Sequence, residues 1–367
     1  MRAEITTAII LILATGCRRI PLCERESDVY LRPVYETGAM CDTSGLSDAA
    51  KSSAGSKITA QRPLTLMACF YDCESHRIAY SETIPAEGGF VKVPAGTWDI
   101  LLYGMESEMT VVEKTDMRAA GTAYAPSTGT KVSVGPDSRL GFTIAEEPEH
   151  LMVGRLQAVT IAALTERSSA QVIELPMRSI AETWTLEIRD IRGAERLSRA
   201  SAWIGGLSAT RALWDLSLGD DPVAVQFALT PGGGAGQASQ HATGGGSGVG
   251  GDGSVGGDSR DGSPALSSPA LNSPAKSATE SAALCGVFNT FGMCDGEQIK
   301  LGITIVNSAG GRFVMVCDVT DQILSPDNDG HRIIISESIL VPSGSSEGGG
   351  FDPRVSDWDG ESFNINL

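Results

Sequence analysis

The stretch Phe90-Val91-Lys92-Val93-Pro94-Ala95-Gly96-Thr97-Trp98-Asp99-Ile100-Leu101-Leu102-Tyr103-Gly104 decides the fold class. Two arms rich in β-branched and aromatic residues flank a Pro94-Ala95-Gly96 corner, and that spacing predicts a hairpin. The second arm is apolar at nearly every position from Ile100 to Tyr103. A half-exposed strand alternates, so this run predicts a strand buried on both faces or close to the core of a sandwich.

Outward from this stretch the chain reads as more short strands. Leu64, Leu66, Ala68 and Phe70 share one face, Ser75 to Tyr80 precedes the turn Pro85-Ala86-Glu87-Gly88, and Val111-Val112, Lys131 to Val134 and Leu140 to Ile144 follow. Strands at intervals of about 8 to 12 residues, with no long 3.6-residue period, predict a β-sandwich of about seven strands. Its expected limits are 58–149. Glu146-Glu147-Pro148-Glu149-His150 then reads as an exposed acidic connector rather than a metal or acid–base site.

A second all-β unit is expected over 150–367, which makes the fold class all-β with two tandem sandwiches. Trp184, Leu186 and Ile188 alternate with polar residues, and 201–207 and 223–229 continue the pattern. Residues 231–283 are nearly all Gly, Ser, Ala, Asp and Pro, too poor in apolar side chains to offset their ordering entropy. They read as a disordered insertion, an overgrown hairpin loop between neighbouring strands at 223–229 and 286–291, because loop entropy grows only logarithmically with length. The final stretch Phe363-Asn364-Ile365-Asn366-Leu367 alternates strictly. Phe363, Ile365 and Leu367 are the candidates for pairing with a partner strand.

The formal net charge of −17 over 367 residues repels phosphate backbones and excludes nucleic acid as a partner class. At the N-terminus an apolar run from Thr6 to Ala14 leads into Ala14-Thr15-Gly16-Cys17. This resembles a bacterial lipoprotein signal, which implies removal of 1–16 and acylation of Cys17. Durable membrane attachment takes more than one acyl chain. Residues 17–57 read as a lipidated tether with room for one short strand. Seven further cysteines remain, an odd number, so in an exported protein one thiol stays unpaired or bridges between molecules. Cys69 and Cys73 cannot bridge if 69–73 is one extended strand.

Motifs that name chemistry fail on their context. Gly246 to Gly251 fits the dinucleotide fingerprint but lies in the glycine-rich insertion, as does the Ser-x-x-Lys match Ser273 to Lys276. Ser325 to Gly330 reads as a tight turn, because Ser336 stands where a calcium loop needs a bidentate Glu. His76, His150, His241 and His331 form no metal-binding spacing, and no catalytic residue, metal or cofactor is assigned.

With the Cys17 signal, the tether and two successive all-β units in place, the chain resembles the lipid-anchored fimbrial subunits of Bacteroides-type bacteria. The likeness rests on Leu13 to Cys17, on Val91 to Gly104, which is similar to a Leu-Pro-x-Gly-x-Tyr motif with Trp98 for the aromatic, on Pro148 to Gly154, and on Val355 to Glu361. The resemblance implies two transthyretin-like Greek-key sandwiches, outer-membrane attachment through Cys17, and a structural, adhesive, non-enzymatic role as anchor or minor subunit. Other fimbrial subunits would join by β-strand addition, and an anchor would keep its N-terminal segment. The alternative is a surface glycan-binding lipoprotein, with Trp203, Trp214 and Trp358 as stacking candidates.

Overall fold

Strand β5 (Gly96–Gly104) has a hydrophobic core on each of its faces. Ile100 and Leu102 point into one core and Leu101 into the other, and all three are fully buried. Its neighbour β2 (Thr65–Asp72) divides in the same way, with Leu66, Ala68 and Phe70 to one side and Cys69 and Tyr71 to the other. This is why the run from Ile100 to Tyr103 does not alternate.

The computed structural model describes residues 26–36, 40, 41, 43, 46, 51, 54–59, 61–133, 141–163, 170–231, 282–328, 330–341 and 343. The first sheet has the strand order β3 (Ile78–Pro85), β2, β5, β10 (Met152–Ile161), β11 (Gln171–Ser179), β1 (Glu26–Tyr35), β4 (Gly89–Pro94). In the second the order is β18 (Arg312–Asp318), β17 (Lys300–Asn307), β13 (Leu197–Ser208), β15 (Pro222–Pro231), β16 (Ala282–Thr290), β12 (Glu182–Arg192), β19 (Arg332–Ile335). To it are added β20 (Ile339–Leu340), paired with β12, and β8 (Ser127–Ser133) with β9 (Gly141–Ala145), the latter parallel to β15. A small sheet joins β14 (Thr210–Ala212), β7 (Thr122–Tyr124) and β6 (Val111–Glu113). One short α-helix is α1 (Thr320–Ile323). The fold is all-β, as expected.

The hairpin expected at Pro94-Ala95-Gly96 is corrected. β4 pairs with β1, and β5 pairs with β2 and β10, so the two arms do not pair with each other. Tight hairpin turns need positive φ at a central residue, and no residue of this corner has it. The corner instead carries the chain across the molecule, held by the Trp98 indole N–H donating to the Pro94 carbonyl at 3.0 Å. β3 and β4 stand at opposite ends of the first sheet yet are separated in sequence by only Ala86, Glu87 and Gly88. The sheet therefore curls round its core until its ends meet at that turn. Gly88 has φ +105°, and a Cβ there would lie 2.4 Å from the Leu31 carbonyl oxygen, so the turn requires glycine.

The segment read as a tether contributes a ten-residue strand to the first sheet. β1 lies between β11, to which it is parallel, and β4, to which it is antiparallel. Val29 and Leu31 are fully buried. Pro33 falls beyond the last β4 pair, Leu31 with Gly89, where its missing amide removes no bond to that strand.

Two exchanges cross the junction expected at 149/150. β10 and β11 complete the first sheet, while β8 and β9 attach to the second. β15 and β16 are antiparallel neighbours at Thr230 with Cys285 and Pro231 with Leu284, the arrangement expected of strands flanking a long insertion. Residues 232–281 lie outside the described residues.

Aromatic rings lying on glycines hold the second sheet together. A Cβ at Gly302 would sit 2.1 Å from the Trp203 ring, one at Gly205 2.2 Å from Phe142, and one at Gly286 2.7 Å from Phe227. Each glycine removes a side chain where an aromatic ring must pack, a ring from the paired strand at Gly302 and Gly286 and one from β9, on the far side of β15, at Gly205.

Candidate interaction surface

The acidic run at 146–150 is a packed seam, which corrects its reading as an exposed connector. Glu147 Oε2 accepts from Lys57 Nζ at 2.6 Å and Oε1 accepts from the Asn289 amide at 2.9 Å. Burial pushes the Glu147 carboxyl above its ordinary value, against the pull of Lys57 and of the Asn289 amide. Burial also opposes ionisation of Glu149. Hydrogen bonds from the Ser107 hydroxyl and the Met109 and Glu108 amides outweigh it, and its carboxyl sits below the usual value.

His150 contacts Ser179 Oγ through Nδ1 at 2.8 Å, and through Nε2 it faces the Lys57 carbonyl at 2.8 Å and Thr183 Oγ1 at 3.1 Å. Thr183 Oγ1 also lies 3.0 Å from Asn289 Oδ1. If Nε2 carries the proton and donates to Lys57, the Ser179 hydroxyl can donate to Nδ1 and the Thr183 hydroxyl to Asn289. Both ring nitrogens then serve structure. The network ties the turn before Thr59 to the ends of β11, β12 and β16.

Burial holds the His150 pKa below its ordinary 6.5, outweighing the bonds to Lys57 and Ala181 that favour the cation. The folded protein keeps a neutral ring, so as pH falls through about 6.5 the unfolded chain binds the proton first. This contribution to stability is complete above pH 6.5 and is lost on acidification towards the folded pKa. Glu147, with a raised pKa, acts oppositely, losing its contribution as pH rises through its folded value. The expected result is a Tm that falls between pH 6.5 and 5.5, with a shallower slope in His150→Gln. Identical slopes would remove His150 from the account.

The outer face of β4, β1 and β11 carries an apolar row. Phe90 is 61% exposed and meets Tyr30 edge to face at 5.0 Å, and Tyr30 is in register with Val172, 48% exposed. Arg32 pairs with Glu174 in the next row at 3.0 Å. Sequence reading missed this row because residues 26–35 look polar as a whole. Their alternation, with Val29, Leu31 and Pro33 inward and Asp28, Tyr30, Arg32 and Val34 outward, is the signal that could have found it.

Two of the expected sugar-stacking tryptophans are committed to packing. Trp203 is 6% exposed and lies over Gly302. Trp214 is half-buried between Tyr71, at 6.4 Å, and the Arg118 guanidinium, at 4.8 Å. Trp358 lies outside the described residues, as do Cys17 and the strand candidates Phe363, Ile365 and Leu367. The expected turn at 325–330 is held by Asn328, whose side chain donates to the Gln322 and Arg332 carbonyls and accepts from the Arg332 amide.

The described geometry is that of a strand-paired β protein. Residues 55–228 match the family model for a domain of unknown function, DUF5119. No curated protein matches the chain. Among solved structures, a candidate adhesin of Bacteroides ovatus aligns with 88% of this chain and 97% of its own at 14% identity, with a TM-score of 0.48. A candidate adhesin of Bacteroides thetaiotaomicron aligns with 86% and 93% at 11% identity and a TM-score of 0.46. The fimbrial anchor protein Mfa2 of Porphyromonas gingivalis aligns with 84% and 90% at 10% identity and a TM-score of 0.43. Each is a distant likeness of fold.

Proposed function

We propose that this chain is a lipid-anchored, non-enzymatic surface protein of the outer membrane, an anchor or minor subunit of a fimbrium that joins other subunits by β-strand addition. The observation that carries the reading is the placement of β1. It begins at Glu26, close behind Cys17, and fills the slot between β11 and β4. An acyl group on Cys17 would thus be tied through a short leader to a strand hydrogen-bonded on both edges. A subunit that keeps its N-terminal segment keeps this slot filled, as an anchor would. The resemblance of the Cys17 signal and of Val91 to Gly104 to fimbrial subunits supports the same role. Two tandem sandwiches remain the proposed organisation, with the strand exchanges described above.

Ser179 and His150 touch, but among the described residues no carboxylate orients the ring, whose other nitrogen faces the Lys57 carbonyl. This supports a structural part for the pair.

Cys17→Ser tests the anchoring. The wild-type protein should fractionate with the outer membrane and carry acyl mass on its N-terminal peptide, and the variant should be soluble. A wild-type protein that is soluble and unacylated would refute it.

The glycan-binding alternative has one observation in its favour, the exposed Phe90–Tyr30–Val172 row, because aromatic faces stack on sugar rings. Retention on a glycan array that is lost in Phe90→Ala would favour it.

A further inference from the structure

The seam at Glu147 brings an amine, a carboxylate and a carboxamide together. Lys57 lies in the short 3₁₀ helix Gly55–Ile58, Glu147 in the link between β9 and β10, Asn289 in β16 and Thr183 in β12. Lys57 and Asn289 meet the same two groups. Lys57 Nζ donates to Glu147 Oε2 at 2.6 Å, and the Asn289 amide donates to Oε1 of that carboxylate at 2.9 Å. The Lys57 carbonyl and Asn289 Oδ1 lie 2.8 and 3.0 Å from Thr183 Oγ1. Nζ also donates to the Val287 carbonyl at 3.3 Å. Phe288 packs in the main core while Val287 packs with Leu46 and Ala54 on the opposite face of β16, so Asn289 shares the face turned to Lys57.

A structural ion pair would need only Lys57 and Glu147. The carboxamide buried beside them sets an acyl carbon next to the amine. Burial raises the Glu147 carboxyl above its ordinary value, which fits it to take up a proton. A cleft of about 320 Å³, counting the part open to solvent, is lined by Lys57, Ala54, Cys285 and Val287 among others and gives a small leaving group a way out.

We propose that Lys57 Nζ and Asn289 Cγ join in an amide bond within the chain, with Glu147 carrying the protons and Thr183 holding the oxygen. Nζ passes a proton to Glu147 Oε2 and adds its electron pair to Cγ. The C=O electron pair moves onto Oδ1, to which the Thr183 hydroxyl donates. As that pair returns, the Cγ–Nδ2 bond breaks, and Nδ2 departs with a proton handed on by Glu147. Of the Nζ protons one remains in the new amide, and the other two leave on the departing nitrogen as ammonium. Nothing is oxidised or reduced, and Glu147 ends as it began. The bond goes beyond the proposed function and needs neither lipid nor another subunit. Taken with that reading, it would fasten the N-terminal segment to β16, so that a pull on Cys17 meets a covalent joint.

Tandem mass spectrometry of tryptic peptides from the folded, purified full chain tests it. Lys57 should escape cleavage, and one branched peptide should contain both Lys57 and Asn289, lighter than the sum of its arms by one ammonia. Glu147→Gln keeps the shape but cannot carry the proton, and should slow joining by about a hundredfold or more, so that linear peptides persist. Should that variant fail to fold by near-ultraviolet circular dichroism, Thr183 decides: joining should survive Thr183→Ser and slow in Thr183→Val. Linear peptides with free Lys57 and intact Asn289 in the folded wild type overturn the proposal. So does loss of ammonia without a branched peptide, which marks a succinimide, or loss of water with Lys57 joined to Glu147. Equal joining in wild type and Glu147→Gln, or in the two Thr183 variants, overturns the mechanism. No lipid or partner takes part, so failure here is distinguishable from failure of the anchor reading.

Discussion

Asp99→Ala lowers the stability of the protein by about 3–5 kcal/mol, the usual consequence of removing one partner from a buried ion pair. The Asp99 side chain is 2% exposed and accepts from Arg118 Nη1 through Oδ2. Oδ1 accepts from the Ala158 amide at 2.8 Å, inside the irregularity of β10 between Leu156 and Val159, where Ala158 has φ +52°. Arg118 lies over the Trp214 ring, which meets Tyr71 of β2 edge to face. One carboxylate therefore holds β5, the strained turn of β10 and the loop carrying Arg118, and through Trp214 it reaches the segment after β14. Without it, Ala158 loses its acceptor and Arg118 keeps a buried charge whose Nε already has no partner. A chemical denaturation midpoint measures the loss. The double variant Asp99→Ala with Arg118→Met should be more stable than Asp99→Ala alone, because the orphaned charge has gone. A double variant that is worse would show that the charge itself is not the cause.

Leu31→Ala costs about 2–5 kcal/mol and loosens β1 from the first sheet. Leu31 is fully buried beside Val29, Leu66 and Leu175 in the first core, so truncation leaves a cavity in the strand that joins the N-terminal segment to the fold. Limited chymotryptic digestion reads the loosening locally: cleavage after Tyr30 and Tyr35 should be slow in the wild type and fast in the variant. If acylated Cys17 holds the protein to the membrane, the variant remains attached to its lipid while its first sheet opens. Unchanged digestion would mean that β1 is held by its backbone bonds alone.

What the sequence disclosed follows from the range over which its signals act. The unbroken apolar run of β5 reports burial on both faces, which a strand carries within itself. Its partners it does not carry. β4 pairs with β1, some 60 residues earlier, and β5 with β10, some 55 residues later. Pro94-Ala95-Gly96 reads the same whether the next strand folds back or crosses the molecule. β15 and β16 were legible as neighbours because the apolar pattern resumes unchanged on either side of the insertion.

β1 was harder to read, since Asp28, Arg32 and Pro33 dilute its apolar residues and half of its side chains face outward. The acidic seam was misread for a related reason. Glu147 looks solvated beside Glu146 and Glu149, but its cation, Lys57, lies 90 residues away in sequence. Trp203 could be a sugar platform or a core residue until Gly302 is seen beneath it. The proposed attachment and joining sites, Cys17 and Phe363 to Leu367, rest on local pattern, which sequence reports directly.

The most direct test is an affinity pull-down of the tagged full-length protein from its native envelope, combined with intact-mass analysis of its N-terminus. The account predicts acylated Cys17 together with co-purifying β-rich subunits encoded nearby, and loss of those subunits, with the lipid retained, when Phe363–Leu367 is deleted. An acylated protein that arrives alone and is retained on a glycan array would contradict the anchor.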